Sequence, residues 1–470
     1  MVNLKVWVLG GLLVGAAGTV AMAESGFLPN LFPFSDPTGK LQTFSTTGKV
    51  DLTGPFFQDL GKKNGRSCAS CHQPGEAWSV SAAGVAQRFE ATQGLDPIFR
   101  KNDGSNCNHN IDETTLEGRR QAYSLLISRG LIRVALPVPA GAEFEVVSVS
   151  NPYGCNETST LSMYRRPLPS ANLRFLSTLM WDGRESSTQT GTTPIAFPTN
   201  PQDLLSNLRH QSVDATIGHA EAPTEPSPEQ QQQIVAFEMA LSTAQDLDTV
   251  AGSLEADTAT GGPRAVVDQP FFIGINDPLG LNPFKTPFNP VAFTLYNDTW
   301  VNAASGSTRT QRASIVRGQT LFNSRPINIT GVGGLNDATG LPLIKGTCTT
   351  CHDSPNVGNH SVSAPLNIGV SDVTSPLDVK YLPVITLRQK KGGHAVISTT
   401  DPGRALITGK WADIGKLKGP VLRGLAARAP YFHNGSAAGL KEVLDFYNVR
   451  FSMGLTDAEK NDLVAFLNAL

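Results

Sequence analysis

Charged side chains are scarce in this 470-residue sequence: Asp, Glu, Lys and Arg make up 17% of it, whereas about 25% is usual for a soluble domain. The formal net charge is only −2, which argues against a nucleic-acid-binding protein that works through bulk charge. After residue 23, no apolar run is long enough to span a membrane. Glycine and proline are frequent instead, at 45 and 32 residues, and they indicate a globular chain rich in loops rather than in long surface helices.

Residues 1–23 have the organisation of a secretory signal peptide. A single charge, Lys5, precedes an apolar, glycine-rich stretch, and Ala21-Met22-Ala23 provides a small-residue cleavage site. An uncleaved anchor is the alternative, because the uncharged stretch approaches the length of a membrane-spanning helix. The glycines and the cleavage site favour removal, so we expect a mature protein outside the cytoplasm, where disulfides form.

Cysteine is also infrequent, with six residues, but four of the six fall into two Cys-x-x-Cys-His motifs at residues 68–72 and 348–352. This spacing is the attachment signature of c-type haem. The two thiols of each motif can reach the two vinyl groups of one porphyrin, and the adjacent imidazole then lies under the iron. The pattern predicts two covalently bound haem c groups, attached through Cys68, Cys71, Cys348 and Cys351, with His72 and His352 as the proximal iron ligands.

Two other interpretations fit these cysteines less well. Two Cys-x-x-Cys pairs could form one tetrahedral zinc site, but this leaves the histidine after each pair unexplained. A redox dithiol would need a thioredoxin-like βαβ context, which the sequence lacks. The remaining Cys107 and Cys155 are expected to form a disulfide in an oxidising compartment, with a functional free thiol as the alternative.

The chain contains two copies of one pattern, in which a Cys-x-x-Cys-His motif is followed by loops and a final amphipathic helix. The first final helix is capped by Ser227, with Pro228 at its first position, and the second by Thr456 with Glu459 as a capping box. Neither copy has the pattern of a strand-rich unit. The sequence therefore predicts a duplicated, mainly α-helical architecture.

Two stretches fall outside the repeated pattern. Residues 251–304 include a proline-rich run between Asp268 and Pro290 that cannot continue a helix, so we predict a linker or surface excursion there. Residues 79–165 form a second excursion, in which valine and isoleucine with proline turns predict a small β-hairpin within Leu131–Val149. No function beyond the disulfide is predicted for residues 79–165.

Further motifs carry a resemblance to a known family. They are Trp181-Asp182-Gly183-Arg184, Asp401–Leu406 and Ala429–Ser436, the last of which runs into Leu440–Tyr447. With the two haem motifs, they make the chain resemble the bacterial dihaem cytochrome c peroxidases and their MauG-like relatives over residues 45–75 and 165–470. The resemblance implies a mainly α-helical fold of two cytochrome-c-like haem domains in a periplasmic oxidoreductase. Peroxide chemistry would belong to the N-terminal domain, residues 24–250, and electron relay to the C-terminal domain, residues 305–470.

The resemblance assigns roles to individual residues in the first half. Trp181 matches the tryptophan between the two haems, where packing is the alternative to electron relay. Gln211 and Glu221 match a segment whose glutamate lies in the distal pocket and moves a proton between the peroxide oxygens, with a solvated surface glutamate as the alternative. His219 departs from the family, which has proline there, and is either a partner in this proton transfer or a hydrogen-bonded core residue.

Two absences distinguish this chain from typical members of the family. Residues 73–108 contain no histidine to serve as a sixth ligand, and Arg88 stands about where one would be sought, so we expect an N-terminal haem with an open sixth position. His109 is a distant alternative. At the C-terminal haem, Tyr447 replaces the usual axial methionine, as in MauG-like proteins, and Met453 is the competing ligand.

The resemblance also bears on further ligands and partners. The family binds an interdomain calcium ion, but Pro167 and Arg428 stand at two of its ligand positions, so Ca²⁺ is left open. The expected partners are hydrogen peroxide and a small electron donor, either a cytochrome c or a cupredoxin. In the MauG-like alternative a partner protein is oxidised, and a non-catalytic dihaem electron carrier is the alternative outside enzymes. Homodimers are common in the family, and the sequence leaves the oligomeric state open.

Overall fold

The computed structural model describes residues 26–109, 111–186 and 200–470. The signal peptide predicted at 1–23 lies outside these residues and stays a prediction. Among the described helices, none combines the length and the hydropathy needed to cross a bilayer. The described residues surround two cavities, and segments from both halves of the sequence line each of them.

The helices form where the sequence supplies caps and apolar faces. Both final helices of the repeated pattern are present with their predicted caps: Ser227 exchanges hydrogen bonds with Gln230, and Thr456 does so with Glu459. In the described part of the chain, the α-helices are α1 (Ala82–Thr92), α2 (Leu116–Ala122), α3 (Ser124–Arg129), α4 (Pro201–Gly218), α5 (Pro228–Ala240), α6 (Pro263–Val267), α7 (Asp298–Asn302), α8 (Gly306–Ser324), α9 (Asn336–Thr339), α10 (Ala405–Thr408), α11 (Leu440–Arg450) and α12 (Asp457–Asn468).

The strands are short and form small sheets. They are β1 (Phe27–Pro29), β2 (Phe34–Ser35), β3 (Gly39–Ser45), β4 (Lys49–Asp51), β5 (Ile132–Pro137), β6 (Phe144–Ser150), β7 (Thr160–Arg165), β8 (Leu241–Asp248), β9 (Gly252–Ser253), β10 (Ile327–Ile329), β11 (Ile344–Gly346), β12 (Val384–Gln389) and β13 (Val396–Thr399). Their orders are β2-β3-β8-β9, β13-β12-β6, and the pairs β1-β4, β5-β7 and β10-β11. With 31% helix and 17% strand, the described residues hold more strand than the predicted mainly α-helical class suggests.

The hairpin predicted within Leu131–Val149 is wrong, although both of its strands form. β5 pairs with β7, and β6 pairs with β12 from the second half of the chain. β-branched residues favour extended backbone, but burial selects the partner strand. Phe144 of β6 is fully buried in a cluster with Ile385 and Leu387 of β12, which a local hairpin could not provide. The 79–165 excursion is therefore joined to the second half by a sheet.

Residues 251–304 are neither a free linker nor a surface excursion, because several of their side chains belong to the largest hydrophobic cluster. Leu254, Phe293 and Trp300 are fully buried in the same cluster as Ile315 of α8 and Phe466 of α12. The segment thus packs with the C-terminal half and passes directly beside the second haem motif, where the Asn276 side chain donates to the Asp353 carbonyl at 3.1 Å.

Candidate active site

Each of the two cavities contains one Cys-x-x-Cys-His motif. The N-terminal cavity is lined by the cysteines and histidine of residues 68–72. The C-terminal cavity is lined by those of residues 348–352. Each motif therefore faces a cavity of its own, as two separate haem groups would require.

The two motifs share one local geometry. Each begins with a single 3-10 turn, Cys68–Ser70 or Cys348–Thr350, that is closed by reciprocal hydrogen bonds between the residue before the turn and its third residue. None of these four cysteines takes part in a disulfide, and among the described residues no three of them come together as a metal cluster. The zinc interpretation is therefore wrong, since the two pairs line different cavities.

The two motif histidines share the proton position and the protonation state that a metal ligand needs. Nδ1 of His72 lies 2.9 Å from the carbonyl oxygen of Trp78, and Nδ1 of His352 lies 2.7 Å from that of Gly358. Because a carbonyl can only accept, Nδ1 carries the proton and Nε2 keeps its lone pair in the neutral ring. Burial lowers the pKa of both imidazoles to about 4, so both are neutral at pH 7. This is the form in which imidazole binds a metal.

A buried glutamate lies behind His72. The hydroxyl oxygen of Ser170 lies 2.9 Å from Nδ1 of His72 and also hydrogen-bonds to Glu238 on α5. Burial raises the pKa of Glu238 to about 8, and its Oε2 atom has no hydrogen-bond partner. The sequence analysis missed this residue, because nothing in the helical pattern of α5 distinguishes it from a surface glutamate.

Buried cations between the two cavities provide a test of whether haem fits. In the described part of the chain, the buried Arg166 and Lys418 and the partly buried Arg428 of the C-terminal cavity donate hydrogen bonds to backbone carbonyl oxygens and form no salt bridge. Arg166 and Lys418 line both cavities, and burial lowers the pKa of Lys418 to about 7. Buried cations without anions are costly. The two propionate groups of each haem would supply the missing negative charge, so the residues present fit haem c.

Trp181 lines both cavities, which agrees with the position between two haems that the family resemblance implies for it. Its indole Nε1 donates to the carbonyl oxygen of Arg166 at 2.7 Å. Its ring meets the imidazole of His433 edge-on, with 6.0 Å between centroids. These contacts fix the plane of the indole, while its role in electron relay stays a prediction.

The three family motifs meet beside Trp181 in a buried ionic network. Arg165 donates two hydrogen bonds of 2.7 and 2.9 Å to Asp401 of the second motif and also binds Asp182 of the first. His433 of the third motif lies 3.7 Å from Asp401. Burial by itself raises the pKa of Asp182, but two neighbouring arginines outweigh it and hold the pKa at about 2. The network is a scaffold that positions Trp181.

Of the residues predicted for proton transfer, Gln211 and His219 line the N-terminal cavity, whereas Glu221 lies outside its lining. The Glu221 carboxylate is 3.4 Å from the side-chain nitrogen of Asn64 and 3.8 Å from that of Lys63, and it is 37% exposed. The cause is local: α4 ends at Gly218, and the left-handed backbone of Glu221, with φ of 51°, turns the chain. The acid–base role of Glu221 stays a prediction, and His219 is the better-placed group.

His219 is held by a residue that the sequence analysis missed. Its Nδ1 hydrogen-bonds to Oδ2 of Asp103, a buried residue of the 79–165 excursion. The other carboxylate oxygen of Asp103 binds the buried guanidinium of Arg66. Burial by itself raises the pKa of Asp103, but Arg66 and His219 outweigh it and hold the pKa below its ordinary value. The excursion thus contributes a charged group behind two residues, Arg66 and His219, that line the N-terminal cavity, and no fixed spacing in the sequence could have revealed it.

Arg88 and His109, the positions considered for a sixth ligand, do not line the N-terminal cavity. Arg88 pairs with Asp96 and donates to the carbonyl oxygen of Ser70 at 2.8 Å, so it braces the haem motif from outside. His109 is 58% exposed and pairs with Glu157. Within the described residues, His72 and His219 are the histidines that line this cavity.

Both candidate axial residues of the second haem line the C-terminal cavity. Tyr447 lies on α11, where its ring stacks on Phe451 with 18° between the planes and contacts Phe432. Met453 lies just after the end of α11 and is 7% exposed. The geometry admits either side chain, so the choice of Tyr447 stays a prediction.

Cys107 and Cys155 form the predicted disulfide, with their Cα atoms 5.7 Å apart. The bond ties the loop after Asp103 to the segment that precedes β7. It therefore braces the part of the excursion that reaches His219.

The positions that the resemblance links to calcium are engaged elsewhere. The Pro167 carbonyl accepts from the hydroxyl of Ser79 at 2.7 Å, and the Arg428 carbonyl accepts from the guanidinium of Arg166 at 2.8 Å. The nearby amide of Asn172 exchanges hydrogen bonds of 2.9 and 3.0 Å with the backbone of Thr243. Calcium binding is left open, as in the sequence analysis.

Comparisons with known proteins match a limited part of the sequence. No protein-family model matches the chain. The cytochrome-c peroxidase IdrP2 of Denitromonas iodatirespirans is 35% identical over 136 residues, which are 27% of this chain and 36% of that protein. The cytochrome c551 peroxidase of Nitrosomonas europaea is 29% identical over 139 residues, which are 29% of this chain and 34% of that protein. The chain thus spans about a third of the length of these curated relatives.

One similar solved structure is that of a MauG-like protein associated with microbial copper homeostasis. It is 16% identical and overlays with a TM-score of 0.29, over 82% of this chain and 89% of that one. A TM-score this low supports no inference about the present chain. The sequence matches show that the chain is similar to cytochrome-c peroxidases over about a quarter of its length, in agreement with the resemblance that the two haem motifs carry.

Proposed function

We propose that the chain is a dihaem c-type oxidoreductase of the periplasm, exported on the signal peptide predicted at 1–23, that reduces hydrogen peroxide in its N-terminal cavity. The observation that carries the proposal is the His219–Asp103 pair: the His219 imidazole lines the same cavity as the haem motif at 68–72, which supports a role for it in proton transfer. The sequence relatives are named as cytochrome c peroxidases, which supports the same reaction. Reduction of peroxide consumes two electrons and two protons and releases two water molecules.

The haem would supply an iron that binds peroxide and passes electrons to its O–O bond. The protons are handled by the chain itself. Asp103 accepts from Nδ1 of His219, so Nε2 is the atom that can take a proton from one peroxide oxygen and return it to the oxygen that leaves as water. The low pKa of Asp103 keeps its carboxylate ionised, and the carboxylate stabilises the imidazolium that exists between the two transfers. Gln211 lines the same cavity and offers an amide to orient the peroxide.

Electrons would reach this cavity from the C-terminal one. Trp181 lines both cavities with its ring fixed by Arg166 and His433, which supports a relay across the boundary. The donor would be a small cytochrome c or cupredoxin that docks near the C-terminal haem. Lys418 and Arg166, which line both cavities, would hold propionates of the two haems and so fix their separation.

Tyr447 supports a second candidate function. Its phenol lines the C-terminal cavity, and a tyrosine ligand stabilises ferric iron rather than a haem that accepts electrons from a high-potential donor. In that case the oxidising equivalents of peroxide would be used to oxidise a partner protein, as in the MauG-like alternative. A non-catalytic dihaem electron carrier is the candidate function that involves no enzymatic activity.

Two measurements on the full-length, haem-loaded protein test these functions. The ferric EPR spectrum is expected to contain a high-spin signal from the N-terminal haem. Two low-spin signals would contradict the proposal, because they would mean that His219 or another group fills the sixth position. Stopped-flow mixing with peroxide and a reduced small cytochrome c is expected to oxidise two donor molecules per peroxide. A peroxide-driven spectral change without donor oxidation would favour the MauG-like function instead.

A further inference from the structure

A second group of buried ionisable side chains lies outside both haem cavities. Asp277, Asp353 and His360 are 2%, 0% and 4% exposed. One potential ligand atom of each lies within 4.8 Å of those of the other two. Asp277 comes from the proline-rich segment, and the other two come from the loop that follows the second haem motif. None of the functions discussed above uses these residues.

Two atoms of this group lack hydrogen-bond partners. His360 Nε2 and Asp277 Oδ1 are both buried and unpaired. The remaining atoms are engaged: Nδ1 of His360 lies 2.9 Å from Oδ2 of Asp353, and Oδ2 of Asp277 accepts from the backbone nitrogen of Leu281 at 2.7 Å. A buried polar atom without a partner costs about 1–3 kcal/mol, so two of them in one cluster indicate that the cluster binds a group that satisfies them.

The donor set identifies the class of that group. We propose that Asp277 and His360 bind a divalent transition-metal ion of the Zn²⁺ type, with Asp353 as the residue that orients the imidazole. Asp353 accepts from Nδ1 of His360, and this leaves the Nε2 lone pair for the ion, as in the carboxylate–histidine–metal arrangement of known zinc sites. An imidazole nitrogen with carboxylate oxygens suits zinc and its neighbours, whereas calcium takes six to eight oxygen ligands.

The site would join two segments that already touch. The backbone nitrogen of Gly274 donates to the Ser361 carbonyl at 3.0 Å, and the Asn276 side chain donates to the Asp353 carbonyl. The loop from Asp353 to His360 also carries Gly358, whose carbonyl accepts from Nδ1 of His352. The ion would therefore fix the loop that orients the proximal histidine of the C-terminal haem. This inference is independent of the proposed peroxide chemistry.

The direct test is the zinc content of the full-length, haem-loaded protein after growth with added Zn²⁺ and removal of free metal. We expect about one zinc per chain in the wild type, and its loss in Asp277→Asn and in His360→Gln. His210→Gln is the matched control, because His210 also lies with two carboxylates, Glu185 and Asp214, yet is 39% exposed and already pairs with Glu185. The control is expected to keep its zinc.

A titration covers the case in which a substitution prevents folding. Wild-type protein stripped with a strong chelator is titrated with Zn²⁺ by calorimetry, and the haem spectrum confirms that the protein stays folded. We expect one binding event per chain and a higher Tm in the zinc-loaded protein than in the stripped protein. A stripped protein that binds no zinc would overturn the proposal. So would zinc that persists in both site variants, or zinc that is lost in the His210→Gln control.

Discussion

Nδ1 of His219 is hydrogen-bonded to Oδ2 of Asp103 at the N-terminal cavity, although 116 positions separate the two residues in the sequence. Asp103 is held in turn by the buried Arg66, which also donates to the carbonyl oxygen of Ile98. Three segments of the first half therefore converge on one imidazole. An imidazole fixed by a carboxylate is a standard device for moving a proton at a defined atom.

The first prediction concerns which of two residues, His219 or Glu221, is the proton-transfer group. His219→Gln is expected to slow the reaction with peroxide about 10²-fold, because general acid–base catalysis contributes at least that much. Glu221→Gln is expected to change the rate by much less, since its carboxylate faces Asn64 and Lys63 rather than the cavity. Stopped-flow absorbance of the ferric protein mixed with peroxide measures both rates.

A third variant checks the assignment of Asp103. Asp103→Asn keeps the side-chain shape but removes the charge that stabilises the imidazolium, so it should lower the same rate without altering haem content. Equal rates in wild type and His219→Gln, together with a large loss in Glu221→Gln, would reverse the assignment.

Trp181→Phe is expected to leave the first reaction with peroxide unchanged and to slow the later oxidation of the external donor. Phenylalanine preserves packing between the cavities but removes the indole and its hydrogen bond to Arg166, at a cost of about 1 kcal/mol in stability. Double-mixing stopped-flow, with peroxide first and reduced cytochrome c second, resolves the two phases. A variant that slows both phases equally would point to a packing role alone.

The axial ligand of the C-terminal haem is expected to be identified by a pair of variants. Tyr447→Phe removes the phenol oxygen and should change the ferric EPR and absorption spectra of that haem. Met453→Leu, whose side chain has nearly the same volume, should leave both spectra as in the wild type. The reverse outcome would assign Met453, which lines the same cavity.

Glu238 is expected to make stability depend on pH. Its pKa is about 8 in the folded protein and about 4.5 in the unfolded chain, so the folded state binds the extra proton between these values. Its contribution to stability is complete below pH 4.5 and is lost as the pH rises through about 8. Glu238→Gln mimics the protonated form, and the difference in Tm between variant and wild type should grow in favour of the variant from pH 5 to 9. A constant difference across this range would contradict the assignment.

Local features of the sequence identified the chemistry of the cavities. The haem motifs, the helix caps at Ser227 and Thr456 and the disulfide of Cys107 with Cys155 all depend on residues whose spacing or small number limits the alternatives. Trp181 was placed by the family resemblance, and it does line both cavities.

The features that were missed depend on contacts between distant segments. Asp103, Glu238 and Asp277 look like ordinary acidic residues until the fold buries them against a histidine, a serine or another carboxylate. The strands β5 and β6 were foreseen, but their partners were not, because alternating apolar residues define a strand and its buried face without naming the neighbour. The same limit explains why the sequence predicts a linker or surface excursion at residues 251–304, although their aromatic residues enter the core.

The pairing of β6 with β12 has a practical consequence. A strand from the first half, β6, pairs with β12 of the second half. Each half on its own would therefore expose a strand edge whose backbone groups are hydrogen-bonded in the whole chain. Cutting the chain within residues 251–304 would give two fragments with exposed strand edges, and such edges invite aggregation. When the two fragments are expressed together, β6 of one can pair with β12 of the other. The pairing of β6 with β12 therefore makes this chain a candidate for split-protein complementation. The Soret absorbance of bound haem would report reassembly of the fragments.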